Sequence, residues 1–461
     1  MILILGAGLA GLSASYHLGH DRCLLLERNA NAFGHIRSEQ RDGFTWDQGP
    51  HVSFTKNDYV RDLFESSVKG EFEDIGAQVG NYFHGHWIAH PAQTSLHQVP
   101  EPIRTNCLAS FLQTRDCTNS TVQPTDYQDW IEHAFGPVFA NTFVSAYTRK
   151  YWTREPAAMT TDWIGNRVLY PDVEDVKQGA KGPLNRSMHY INRMRYPTSG
   201  GYQSFGQALQ VGAQIRYGAE VVSIDLEARA VYLADGKRHE FTRLINTLPL
   251  PVFVQLCTNV PVEVVNAARQ LSCSQLLLVN VAAPHETQRP EHWIYVYDED
   301  KLSTRINCVE KLSPLNAPKG WSGIQVEVYF SRYRPLTATP EEIGERVEAE
   351  LIEMGLVVPD RFRTGEKLHR HISYSPWANV IFDHGTSDAL QMIWLWLQCH
   401  GLIREDDDLH PLSNWSEQMS VQSMRNATIF MAGRFGQWKY FWTDDCVLRG
   451  KKISEFILNN E

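Results

Sequence analysis

The chain has 461 residues, 43% hydrophobic and 21% charged, which excludes a disulfide-stapled miniprotein, a fibrous repeat and a disordered scaffold and predicts two to three domains at roughly 150 residues each. Lys and Arg total 43 against 53 Asp and Glu, a formal charge of −10 that argues against general binding to nucleic acid or anionic membranes and leaves any anionic substrate to a few local cations. The eight cysteines, at 23, 107, 117, 257, 273, 308, 399 and 446, have no Cys-x-x-Cys spacing, so reduced thiols in a cytoplasmic protein are expected and no metal site is.

The apolar run from Met1 to Leu5 leads straight into glycines, so a strand is expected at the start of the chain and no signal or transit peptide is. Up to about Tyr59, short apolar runs alternate with Gly-rich turns, as βαβ units do. From Val60 to Arg193 the pattern reads as helical, with Tyr127, Trp130, Ile131, Ala134 and Phe135 spaced behind Asp126, a candidate N-cap. Short β-type runs follow at 219–225, 230–233 and 244–247, and alternation at 276–281, 293–297 and 324–329 suggests a second sheet. A helix is expected over 340–354 and a buried helix over 389–403, too short and too polar to span a membrane. A strand at 428–432 and an amphipathic helix close the chain. The His84, His86 and His90 group has no acidic or thiolate partner and reads as ordinary histidines. Glycosylation-type triplets at Asn119, Asn185, Asn414 and Asn426 carry no meaning without secretion.

The first run reads Ile2-Leu-Ile-Leu-Gly6-Ala-Gly8-Leu-Ala-Gly11. Gly6 permits a tight turn, Gly8 lets a pyrophosphate approach the backbone, Gly11 allows close helix-to-strand packing, and the helix N-terminus attracts an anion. A second strand ends in Glu27, sixteen positions past Gly11, placed to accept hydrogen bonds from ribose hydroxyls. Strand, glycines, helix, strand and acid in this order predict a dinucleotide site.

Beyond Glu27 come Gly34-His-Ile-Arg37-Ser38 and Asp47-Gln-Gly49-Pro-His51. These stretches resemble the flavoprotein family that includes amine oxidases, porphyrinogen oxidases and sugar-nucleotide mutases, and the resemblance implies FAD. It assigns to the cofactor Gly6, Gly8, Gly11, Glu27 and the adjacent Arg28, then Gly34, Ser38, Gly49 and His51. His35 stands where the family carries a second glycine. The segment Val221-Val-Ser-Ile-Asp225 is similar to the family's return to the FAD domain, with Val222 beside the adenine.

The C-terminal run Gly433-Arg434-Phe-Gly-Gln-Trp438-Lys-Tyr440 resembles UDP-galactopyranose mutases, the eukaryotic type above all, rather than the Ala-Gly-Glu of amine oxidases. Tyr147-Thr-Arg-Lys150-Tyr-Trp152, Trp163-Ile-Gly-Asn-Arg167, Arg195-Tyr-Pro-Thr-Ser-Gly200-Gly201 and Ser303-Thr-Arg305 are similar to further mutase segments. The resemblance implies that Gly433, Arg434, Asp444 and Asp445 meet the flavin. It implies that His90, Gln93, Tyr147, Trp152, Trp163 and Asn379 meet the substrate, and that Arg195, Arg305, His51 and Tyr440 form the catalytic group. The arginines would grip a diphosphate, since guanidinium binds phosphate bidentately and keeps its charge. Three positions depart from the mutase pattern: Leu312 and Asn379 stand in place of tyrosines, and Asp444 in place of an asparagine.

The fold expected is α/β: a Rossmann-type FAD-binding domain in three pieces (1–75, 195–260 and 416–461), a helical insert at 76–194, and an antiparallel-sheet substrate domain at 261–415. The activity implied is interconversion of pyranose and furanose forms of a nucleotide-activated sugar by a nucleophilic reduced flavin, for a surface polysaccharide or glycoconjugate, with NAD(P)H as a candidate reductant. Two alternatives stay open: an FAD-dependent oxidase or dehydrogenase of the amine or porphyrinogen type, and a flavin-binding relative without catalysis. The partner expected is a small molecule, with the oligomeric state undecided.

Overall fold

The computed structural model describes residues 1–460 apart from 118–123, 166, 187, 189–190, 364 and 404–426. The 415/416 domain boundary and the triplets at Asn119 and Asn414 lie outside the described residues, and Asn426 does too.

Five parallel strands form the dinucleotide-binding sheet in the order Ile429–Met431, Arg243–Asn246, Ile2–Leu5, Cys23–Leu26 and Ile215–Arg216. The first strand is central and fully buried, which is why it reads as a continuous apolar run rather than an alternating one. One face of the sheet is covered by the helix Leu9–Leu18, packed against the C-terminal helix Thr443–Asn459. That packing is backbone-close: a Cβ on Gly450 would lie 2.7 Å from the carbonyl oxygen of Ala10. Ser13 Oγ donates to the Val447 carbonyl at 2.6 Å and Ser454 Oγ to that of Ala14 at 2.9 Å. The other face packs on Leu250, Phe253, Ile393 and Trp394.

A seven-stranded sheet runs His369–Ile381, Ser272–Ala283, Ser322–Phe330, Arg305–Cys308, Trp293–Val296, Val79–Phe83 and His86–Ala89. All neighbours are antiparallel except Trp293–Val296 with Val79–Phe83, which pair in parallel. Here the structure corrects the helical reading of 60–193. Phe72–Gly76 is a strand, and 79–89 is a hairpin closed by His84 and Gly85, both with positive φ (44° and 82°), the backbone a two-residue hairpin turn requires. The helical insert proper includes Ile103–Cys117, Tyr127–Phe135 and Ser145–Tyr151, and Asp126 caps the second by accepting from Asp129 N at 2.9 Å.

The helix Thr386–Cys399 buries only one face, with Ala389, Ile393, Trp394 and Leu397 inside and Met392 and Leu395 exposed. It is therefore an amphipathic surface helix rather than a buried one. Among the described residues no helix is long and apolar enough to cross a membrane.

Candidate functional site: a dinucleotide cradle beside a tyrosine cluster

The glycine loop is shaped by contacts that admit no side chain. Gly6 has φ +96°, and a Cβ on Gly11 would lie 2.1 Å from the Gly6 carbonyl oxygen, so the helix starts against the turn that precedes it. Gly8 faces Gly34 across a gap that leaves a Cβ on Gly34 3.1 Å from the Gly8 Cα, and Phe33 N donates to Ala7 O at 2.8 Å. The helix Leu9–Leu18 has no side-chain cap at Gly8, so its first N–H groups face outward toward any anion. Glu27, buried at the end of its strand, accepts from Ala7 N at 2.9 Å and from Asn29 N and Nδ2 at 2.8 Å. Three donors fix the carboxylate and leave it one further lone-pair site. Gly433 (φ +81°) turns the chain beside Ala10. These residues fit the phosphates and ribose of a dinucleotide, and they would hold FAD.

The other cofactor expectations divide. Ser38 is used within the protein, its Oγ donating to Asp47 Oδ1 at 2.6 Å, and Arg28 is exposed beside Glu27. Val222 is 49% exposed at a register shift, while Val221 packs toward the sheet core. His35 is exposed beside Phe435, while Gly34 makes the close approach to the loop. His51 shares its Nδ1 with the Gly49 carbonyl at 2.8 Å and stacks on Tyr202. Burial lowers its pKa to about 3, so the ring is neutral, with Nδ1 the donor and Nε2 left as an acceptor. At the N-terminus of the last helix, Asp445 accepts from Trp442 N at 2.8 Å. Burial, partly opposed by that bond, raises Asp445 to about 6. Asp444 stands beside it, half-buried.

Across from the cradle the two sheets bring together a group of side chains. Arg434, just past Gly433, donates to Asn379 Oδ1 at 3.2 Å and to Phe441 O at 2.8 Å, and its guanidinium lies over the Tyr440 ring at 5.2 Å. Tyr440 and Tyr151 share a hydroxyl contact at 3.2 Å, and Tyr151 also reaches Asn379 Oδ1 at 3.4 Å. Arg167 Nη2 donates to the Tyr440 carbonyl at 2.7 Å. Trp152 and Trp163, expected to touch substrate, pack behind Tyr440 with ring centroids 5.3 and 6.2 Å from it, and Trp163 also lines the adjoining cavity. Tyr147 stacks on Tyr151, and its hydroxyl is buried with no hydrogen-bond partner among the described residues. His90 joins at the edge through Tyr295, 4.9 Å away, and Gln93 sits half-buried on the next turn. Burial drives the hydroxyls of Tyr147, Tyr151 and Tyr329 well above their usual pKa, so all three remain protonated donors. Beyond Tyr440 and Trp163 lies a cavity of about 410 Å³, within the size range of small-molecule sites.

The two arginines expected to grip phosphate do not share this position. Arg195 lies on the face of its strand opposite the buried Met194 and Tyr196, paired with Glu65 at 3.4 Å and over the Phe72 ring at 4.6 Å. Its side-chain contacts are with the helix Asp58–Ser67 and the neighbouring strand Phe72–Gly76. Arg305 does reach the group, yet Glu327, directly opposite in register and 2% exposed, takes it bidentately at 2.5 and 2.8 Å. Burial opposes the Arg305 charge, but Glu327 more than restores it and raises its pKa well above the usual guanidinium value. The turn before Arg305 is pinned by Lys150 Nζ, which donates to the carbonyls of Val296, Asp298 and Ser303, and by Glu350, which accepts from Leu302 N and Ser303 N. Leu312 is buried in the core. Tyr151 was present in a quoted segment, four residues after Tyr147 and hence on the same helix face. Glu327 and Tyr329 carry no comparable local signal. Among the described residues no group of His, Cys, Asp and Glu could hold a metal.

Comparison with known proteins agrees with this architecture. The crystal structure of a reduced UDP-galactopyranose mutase is similar over 100% of this chain and 96% of its own, with a TM-score of 0.86 and 21% identity. A protein assigned as a protoporphyrinogen oxidase from Exiguobacterium sp. 255-15 is similar over 100% of this chain and 99% of its own, with a TM-score of 0.70 and 16% identity. The family model of flavin-containing amine oxidoreductases matches residues 9–378. With a matching cradle and a match over most of its length, the chain belongs to the flavin-containing amine oxidoreductase family.

Proposed function

We propose that this flavin enzyme interconverts pyranose and furanose forms of a nucleotide-activated sugar, in the cytoplasm, for surface polysaccharide or glycoconjugate synthesis, with NAD(P)H as the external reductant. The observation that carries the reading is the wall built by Tyr440, Tyr151, Asn379 and Arg434, linked by hydrogen bonds and ring contact beside the Gly433 turn. Phenolic donors, an amide and a cation in one wall suit a ligand with many hydroxyls and one anionic group. FAD, when bound and reduced, supplies a nucleophile and no net oxidation. The chain's own residues orient the ring: Tyr440 and Tyr151 hold hydroxyls, Arg434 takes negative charge, and the neutral His51 ring accepts a hydrogen bond at Nε2.

A second reading is favoured by one observation: Glu327 neutralises Arg305, leaving less cationic charge for a diphosphate. It is a flavin-dependent oxidase or dehydrogenase. Anaerobic incubation of pre-reduced holoenzyme with a panel of sugar nucleotides, read by chromatography, separates the two. Many isomerisation turnovers per reduction support the mutase. No isomer on any sugar nucleotide, together with stoichiometric oxygen uptake on an amine or a cyclic substrate, replaces it with the oxidoreductase.

A further inference from the structure

We propose that Glu327 sets the substrate class of this site: paired with Arg305 it makes that end neutral, for an uncharged hydroxylated ring, and it leaves the anionic end of the substrate to Arg434. The inference takes from the proposed function only that the tyrosine cluster is the substrate site.

The two strands Arg305–Cys308 and Ser322–Phe330 place Arg305 and Glu327 opposite each other, and both oxygens of the carboxylate are engaged. Glu327 is 2% exposed and lies under Gly49, where a Cβ would sit 3.8 Å from its Oε1. A diphosphate approaching Arg305 would meet this carboxylate, which cannot turn to water, so like-charge repulsion and desolvation oppose the anion. A sugar hydroxyl meets no such penalty, because the pair offers both donors and acceptors. The surrounding Tyr147, Tyr151 and Tyr329 side chains add hydroxyls and no charge.

Arg434 differs in kind. It donates to three neutral oxygens, those of Phe441, Ala378 and Asn379. Among the described residues no carboxylate pairs with it, and it is only half-buried. It therefore makes no close ion pair, Asp445 acting on it only at longer range, and keeps a charge that an anion can reach.

The test is calorimetric titration of inorganic pyrophosphate into FAD-loaded protein. Glu327→Gln frees the Arg305 charge and is expected to bind pyrophosphate at least about tenfold more tightly than wild type, the effect of one charge-assisted contact. A loss of packing cannot produce this gain. Arg305→Gln/Glu327→Gln, which removes both charges, is expected to bind within about threefold of wild type, and Arg434→Gln at least about tenfold more weakly. The inference is overturned if Glu327→Gln holds flavin but binds no more tightly. It is overturned equally if the double variant binds about tenfold more weakly than wild type, because Arg305 would then already serve anions; this arm decides the matter should Glu327→Gln lose its flavin. Gain of pyrophosphate affinity without turnover of any sugar nucleotide leaves the inference standing and removes the mutase reading. Turnover without that gain does the reverse.

Discussion

Asp47→Asn is a direct test of how the cradle is held together. Asp47 is 6% exposed at the end of the strand Phe44–Asp47 and accepts from Ser38 Oγ at 2.6 Å, Tyr202 N at 3.0 Å and Tyr196 OH at 2.8 Å. Burial raises its pKa from 3.8 to about 6 despite those three donors. The folded chain therefore keeps a proton that the unfolded chain loses first. The stability contributed by this group is full below pH ~4 and is lost as pH rises through ~6. Asparagine cannot titrate, and its Oδ1 can keep the Ser38 and Tyr202 bonds while Tyr196 turns to accept from Nδ2. The stability of wild type minus that of Asp47→Asn should thus fall by about 2 to 3 kcal/mol between pH 4 and pH 7. Urea unfolding of the two apoproteins at matched pH values measures it. A difference that stays constant within about 0.5 kcal/mol, or that grows with pH, refutes the assignment of an uncompensated buried carboxylate.

Four further outcomes follow from the same geometry. Glu27→Ala removes the acceptor of three protein donors and of the expected ribose bond, and should weaken FAD by about 2 to 3 kcal/mol, seen as release of fluorescent flavin on dilution. Gly11→Ala places a Cβ 2.1 Å from the Gly6 carbonyl and should abolish flavin retention, checked by the visible spectrum after gel filtration. Tyr440→Phe loses one hydroxyl contact to Tyr151 and should raise KM about three- to tenfold with unchanged flavin content. Arg195→Ala breaks a partly exposed pair with Glu65 and should cost less than about 1 kcal/mol while leaving pyrophosphate affinity unchanged; a weakened affinity would return Arg195 to the site.

The glycine loop was legible because its chemistry is local: Gly6, Gly8, Gly11 and Glu27 lie within one βαβ unit, Gly11 closes on the Gly6 carbonyl, and Glu27 accepts from Ala7 N in the same loop. Arg434 and Tyr440 were legible for the same reason, on one turn after one strand. Strand periodicity sets the limit. Met194 and Tyr196 are apolar and point inward, so Arg195 between them must point out, and the motif that named it gave no sense of face. At Val221 and Val222 the limit is a bulge that no pattern in the sequence marks, which leaves Val222 exposed and turns Val221 toward the core. Glu327 lies further from reach, because its role depends on the register of two strands 22 residues apart. A one-residue slip would turn its carboxylate away from Arg305 and restore the phosphate clamp the motifs imply. The charge this site presents is thus written in a pairing register rather than in a motif, because Glu327 meets Arg305 only through the alignment of two strands.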